Sequence, residues 1–192
     1  MPKPMNTLFR HLRHLRQAAG VVVGVFLGAC SATTTVAIWP ADQGAVCQPQ
    51  SGLKAAVRWG TGWRANQKDV LAREAAAAQG VADFFAGAKC FASVVIARAD
   101  AGSPEPVVPP GSDLLLVLTV RELGPTVKLF SSAALIDGGT EVLIDVARYL
   151  PGGREPDRQF TIHWRNGGPG VIKGVQSLPA DMSAALQAGL GS

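Results

Sequence analysis

The chain of 192 residues predicts an α+β fold: a two-layer α/β sandwich, a mostly antiparallel sheet with two helices on one face. Three observations predict it. Several segments alternate apolar and polar residues with the period of two that a half-buried strand requires. Only two stretches carry apolar residues at helical spacing. Their order along the chain is strand, helix, several strands, helix, and two helices can cover one face of a single sheet.

The elements follow in order. Residues 54–59 form a first strand, and Gly60-Thr61-Gly62 turns the chain. Asn66 is the expected N-cap of a helix, with Asp69 three residues on; it runs through Val70, Leu71, Glu74 and an alanine block to Gln79, with Gly80 as C-cap. Val81, Phe84 and Phe85 then form a further turn against the core. Residues 90–99, centred on Val94-Val95-Ile96, make the second strand, and the Pro-rich 100–112 an exposed loop. Residues 113–123 are the strongest strand, with Leu114, Leu116, Leu118 and Val120 on one face. Gly124-Pro125 is expected to turn, 126–136 to form another strand, and Asp137-Gly138-Gly139 to close a hairpin onto 140–150. There Val142, Ile144 and Val146 share one side, and Glu141, Asp145 and Tyr149 the other. Residues 159–165 alternate cleanly: Phe160, Ile162 and Trp164 inward, Thr161, His163 and Arg165 outward. Residues 166–170 turn again, and 171–175 extend the sheet. The last helix is capped by Ser177, tolerates Pro179 in its first turn, places Asp181 at its positive end, and buries Leu178, Met182, Ala185, Leu186 and Leu190.

The organisation is set by the first thirty residues. Lys3, Arg10, Arg13 and Arg16 precede an apolar run at 18–29, with no acidic residue. A basic start, a short apolar run and small residues before a cut mark a secretory signal. A permanent membrane helix would need about 20 apolar residues, and this run stops sooner, in polar Ser31-Ala32-Thr33-Thr34-Thr35. Gly20, Gly24 and Gly28 fit a helix-dimerising spacing, but small residues equally suit a signal. The run ends in Leu27-Gly28-Ala29-Cys30, which resembles a bacterial lipobox. The resemblance implies cleavage before Cys30, acylation of its thiol, and, with Ser31 following, sorting to the outer membrane. The expected organisation is a signal at 1–29, a lipidated tether at 30–51, and one domain at 52–192. Trp39, within the tether, is expected to pack against the domain rather than lie in lipid.

Removing the signal removes four basic residues and leaves 14 basic against 14 acidic. A neutral domain carries no electrostatic footprint for nucleic acid. Cys47 and Cys90 remain after Cys30 is acylated, an even pair in an oxidising compartment. They are expected to form a disulfide, adding about 4 kcal/mol in the chain-entropy model; the alternative is two buried thiols.

Motifs with chemical meaning are weak. Gly60-Thr61-Gly62-Trp63-Arg64-Ala65 fits GxGxxA, but the parallel strand ending in an acidic residue is missing, so an ordinary turn is expected. Ser51-Gly52-Leu53-Lys54 fits SxxK without the other motifs of penicillin-binding enzymes. His163, the one histidine after the signal, is expected to face solvent. Glu141 and Asp145 share a strand face, the pattern a cell-wall hydrolase would use, but one pair on an open sheet reads as a solvated surface. No catalytic residue, cofactor site or metal site is expected.

A lipobox followed by a small strand–helix–strands–helix domain resembles the envelope lipoproteins that assist transport or assembly, such as LptE-like proteins and auxiliary lipoproteins of ABC-type transport systems. The specific shared motif is Leu27-Gly28-Ala29-Cys30; Trp164-Arg165-Asn166-Gly167-Gly168 has no counterpart there. The resemblance implies a non-catalytic accessory protein, held by lipid at the periplasmic face of the outer membrane and docking an envelope complex or carrying a lipid-like ligand. The alternatives are a peptidoglycan-binding structural lipoprotein and a cell-wall hydrolase.

Overall fold

A computed structural model describes residues 32–41, 45–48, 52–99, 105–130 and 135–191. The expected signal, Cys30 and Ser51 lie outside the described residues. Six strands form one mixed sheet: β1 (Thr33–Trp39), β2 (Lys54–Thr61), β3 (Ser93–Arg98), β4 (Leu114–Phe130), β5 (Leu135–Tyr149) and β6 (Arg158–Pro169). Two α-helices accompany them, α1 (Val70–Gly87) and α2 (Leu178–Leu190). The strand order is β1-β6-β5-β4-β2-β3. The ladders among β1, β6, β5 and β4 are antiparallel, and β4–β2 and β2–β3 are parallel. The two-layer α+β fold expected from the sequence is therefore present. Its parallel part arises because β2, α1 and β3 form a crossover unit, with β4 on the other side of β2.

One face of the sheet meets the helices. Val57 and Trp59 of β2, Leu114, Leu116, Leu118 and Val120 of β4, Val142, Ile144 and Val146 of β5, and Phe160, Ile162 and Trp164 of β6 are all buried. Ala77, Val81, Phe84 and Phe85 of α1 and Leu178, Met182, Ala185, Leu186 and Leu190 of α2 close over them. Each large apolar side chain so buried stabilises the fold by about 1.5–3 kcal/mol.

Several boundaries differ from the sequence reading, each for a physical reason. The stretch expected to be a tether contains β1, which pairs with β6 from Thr33–Gly167 to Trp39–Thr161. An edge strand is exposed, so its threonines resemble a linker in composition. Trp39 is 53% exposed and meets only the open side of the sheet, not the core. Helix α1 starts at Val70 rather than Asn66, with left-handed Asp69 (φ 55°) before it, and runs through Gly80 to Gly87. Gly80 is no cap; it lies where α2 crosses. Gly124-Pro125 does not turn. β4 continues to Phe130, and β2 stops pairing with it at Val120, so Pro125 falls on a free edge where its missing N–H is tolerated. Asp137-Gly138-Gly139 lies inside β5. Gly139 faces Gly167 so closely that a Cβ on either would fall 2.6–2.7 Å from the other's Cα. These glycines allow a close strand approach rather than a hairpin turn. β6 likewise runs through 166–169, and 171–174 are not strand but lead into a 3-10 turn, Val175–Ser177.

Cys47 and Cys90 form a disulfide, with Cα atoms 4.8 Å apart. Cys47 N–H donates to the Leu190 carbonyl at 2.9 Å, and Cys90 follows the end of α1. The bridge fastens the segment between β1 and β2 to the end of α1, and the Cys47 hydrogen bond fastens it to the end of α2.

Candidate functional site

The uncovered face of the sheet carries the polar residues that the alternation places there. His163 Nε2 lies 2.6 Å from Glu141 Oε1, one step diagonally across the β5–β6 ladder. Beyond it, the Trp39 ring of β1 stands 5.7 Å from the imidazole, centroid to centroid. Thr161 Oγ1 donates to Asp145 Oδ1 at 2.7 Å, and Arg121 Nη1 approaches the same carboxylate at 3.4 Å. Arg121 is the residue added by a bulge between Val120 and Glu122. Arg165 pairs with Asp137 at 3.2 Å. The result is a set of cross-strand ion pairs, each individually worth about 0–1 kcal/mol because solvent reaches it.

A second cluster closes the free edge of β4. Arg73, only 9% exposed at its side chain, donates from Nη1 to Glu122 Oε1 at 3.0 Å and to the Leu123 carbonyl at 2.6 Å, and from Nε to the Lys68 carbonyl at 2.8 Å. Gly124 leaves the room for this guanidinium. Arg64 also pairs with Glu122, which raises the Arg64 pKa above its ordinary value. A concavity of about 480 Å³ opens beside this cluster, lined by Gly62, Trp63, Arg64, Arg121, Glu122, Glu141 and Leu143.

Glu141 and Asp145, the carboxylates singled out from the sequence, share the open face but do not converge on a common site. Each is engaged by its neighbours on β6. His163 is half-buried rather than free in solvent. Among the described residues no group of three or more His, Cys, Asp or Glu side chains is arranged to hold a metal. The GxGxxA segment is a turn after β2: Thr61 Oγ1 donates to Glu74 Oε1 at 3.2 Å, and α1 begins only at Val70. Glu74 also pairs with Arg98 at 2.8 Å, and that hydrogen bond holds its carboxyl below the ordinary range. Arg98 in turn lies over Trp59, its guanidinium carbon 5.5 Å from the ring centroid. Lys54 of the SxxK match uses its backbone N–H to bind Asp113 at 2.7 Å.

Sequence reading missed two polar clusters. Arg73 sits among alanines on a helix and gives no signal of an edge contact. Asp181, read as a helix-dipole residue, is a buried acceptor for Thr140 Oγ1 (2.6 Å), Lys173 Nζ (2.7 Å) and Ser177 Oγ (3.0 Å). A Lys eight residues before an Asp in a first turn was the available clue, but Thr140 is remote in sequence.

No family model and no curated protein matches the chain. Among solved structures, a PelC dodecamer from Paraburkholderia phytofirmans is similar at 13% identity, covering 80% of this chain and 95% of that one, with a TM-score of 0.43. A neuraminyllactose-binding hemagglutinin homolog from Helicobacter pylori is similar at 12% identity, over 72% of this chain and 82% of that one, with a TM-score of 0.41. A protein of family DUF330 from Xanthomonas campestris is similar at 13% identity, over 83% and 87%, with a TM-score of 0.37.

Proposed function

We propose that this chain is an exported accessory protein of the bacterial envelope, anchored through acylated Cys30 at the periplasmic face of the outer membrane, and acting by docking rather than catalysis. The observation that carries the reading is the pairing of Cys47 with Cys90 downstream of the Leu27-Gly28-Ala29-Cys30 motif. Disulfides persist in exported proteins and are rare in the reducing cytosol. The motif and the bridge are independent features that agree on one compartment. Several acyl chains on one cysteine give stable anchoring without a membrane helix, and among the described residues no helix is long and apolar enough to cross a membrane. The resemblance to LptE-like and ABC-transport auxiliary lipoproteins belongs to this reading, as does an envelope complex as the partner.

The test is expression of the full chain in a Gram-negative host, with intact-mass analysis and membrane fractionation beside the Cys30→Ala variant. Acyl mass on Cys30 and release of the variant from the outer-membrane fraction are expected. An unmodified Cys30, or a variant that fractionates like the wild type, overturns the reading. Crosslinking in cells then identifies the docking partner, and binding to purified sacculi would replace the envelope complex by peptidoglycan.

A further inference from the structure

We propose that the outer edge of β3 is a docking surface, and that its occupant is an extended segment of an envelope protein, uncharged and apolar on both sides, which adds to the sheet as a further strand. This deepens the docking reading and rests on it, naming the surface and the kind of partner.

Two free edges of the sheet are treated in opposite ways. β2 stops pairing with β4 at Thr61–Val120, and the β4 edge beyond that point is closed group by group. The Val120 carbonyl accepts from the Gly62 N–H at 2.9 Å, the Leu123 carbonyl accepts from Arg73 Nη1 at 2.6 Å, and Pro125 has no N–H to offer. Charged side chains and proline are the devices that keep a sheet edge from recruiting another strand. β3 uses neither along its length. It ends the strand order and pairs only with β2, from Lys54–Ser93 to Trp59–Arg98. Its one charged residue, Arg98, turns inward, pairing with Glu74 of α1 at 2.8 Å and lying over the Trp59 ring of β2. Every residue of β3 except Val94 is exposed, Val95 at 68% and Ile96 at 37%. The other outer strand, β1, is threonine over its first three residues and runs into Pro40.

The chemistry of the edge defines its occupant. Among the described residues no strand meets the outward N–H and C=O groups of β3, and a row of such groups is matched by the backbone of an extended chain. Ile96 stands beside Val57 on the helix-covered side of the sheet, and Val95 beside Ala56 on the open side. An added strand therefore meets an apolar side chain on each face and no free charge, so its own centre must be uncharged and apolar on both faces. A rigid second copy could touch this edge only along its six residues, about 20 Å. So short a line of contact falls below the roughly 1,200 Å² that a stable specific interface buries. An extended segment is not so limited, because it follows the edge and lays alternate side chains over Val95 and Ile96 as it orders.

The experiment uses the full chain as purified from its host in detergent, with its disulfide intact. The probe is a fluorescein-labelled peptide with a core of valine and isoleucine between terminal lysines, beside the same peptide N-methylated at alternate core residues. Micromolar binding by fluorescence anisotropy is expected, with amide exchange slowed across Ser93–Arg98. N-methylation of the probe, or Val95→Lys in the protein, is expected to weaken binding by about tenfold or more, and Val95→Thr to preserve it. N-methylation tests the contact without touching the protein's fold. No binding at millimolar peptide, or binding that N-methylation leaves intact, overturns the edge as a docking surface. A concentration-dependent dimer in ultracentrifugation that Val95→Lys abolishes also overturns it, since the occupant would then be a second copy. Cys30→Ala is expected to bind the probe like the wild type, so a failure of the edge and a failure of the anchor are read separately.

Discussion

Replacing Gly80 by alanine is expected to destabilise the protein although it improves the helix. Gly80 lies within α1, where glycine costs about 1 kcal/mol relative to alanine. A methyl group there would stand 2.5 Å from Met182 Cβ and 2.6 Å from the Pro179 carbonyl oxygen, both on α2. Neither atom can rotate away, so the helices must separate. Overpacking of this kind costs about 1–3 kcal/mol, and rigid neighbours put the site at the upper end. The net loss is about 2 kcal/mol, or about 4–8 °C in Tm for a domain of this size. Gly87, at the end of the same helix, has nothing within 4 Å of its built Cβ. Gly87→Ala is therefore expected to gain about 0.5 kcal/mol. Urea unfolding of both variants, followed by far-UV circular dichroism, reads the two signs with unchanged slope. A Gly80→Ala protein as stable as the wild type would refute the crossing as the reason for glycine.

Three further outcomes are expected. Replacing Cys47 and Cys90 together by alanine removes a closed loop of 43 residues and about 4 kcal/mol, read as a lower urea midpoint; two alkylatable thiols in the unreduced wild type would refute the bridge. Asp181→Ala leaves Thr140, Lys173 and Ser177 without their buried acceptor and costs about 3 kcal/mol, whereas a surface role would cost under 0.5. The hydrogen bond from Arg148 holds the Asp157 carboxyl below its ordinary value of 3.8. A depressed carboxyl contributes stability above its unfolded-state value and loses it as pH falls through the folded-state value. The deficit of Arg148→Ala, up to about 1 kcal/mol at this partly exposed pair, is thus present at pH 7 and disappears in acid; a deficit independent of pH would show lost packing instead.

The sequence made the inward rows legible because burial enforces alternation. Phe160, Ile162 and Trp164, and Leu114 to Val120, fall where period two puts them. The last helix was equally legible, since its apolar stripe and Pro179 agree on one register. What was not legible is whatever depends on a remote neighbour. Gly80, Gly124 and Gly139 look like local punctuation, yet each makes room for a group that arrives from elsewhere: Met182, Arg73 and Gly167. Thr33 to Trp39 looks like a tether until β6 is there to pair with it. On the open face, Glu141, Asp145 and His163 fall on the side that alternation gives them, but their partners depend on the β5–β6 register, Thr161 directly opposite Asp145 and His163 diagonal to Glu141, which no single strand reveals.

That pairing constrains how the open face can bind anything. Arg121 with Asp145 and Arg165 with Asp137 place each arginine against an acid of the same face, and the His163 imidazole hydrogen-bonds Glu141. A surface whose charges cancel locally casts no long-range field, so it does not steer a charged partner from a distance. A partner that covered and broke these pairs would have to desolvate both members of each without supplying a replacement, which opposes binding. Docking on this face is therefore compatible only with the pairs left intact and with apolar contact between them. Trp39, 53% exposed at the β1 edge, is the side chain with the area to anchor such a contact. The argument predicts that association on this face changes little with ionic strength. It also predicts that Trp39→Ala weakens any crosslinking of this face to an envelope protein in cells far more than Arg121→Ala does. Equal losses, or a steep salt dependence, would mean that charge rather than apolar area makes the contact.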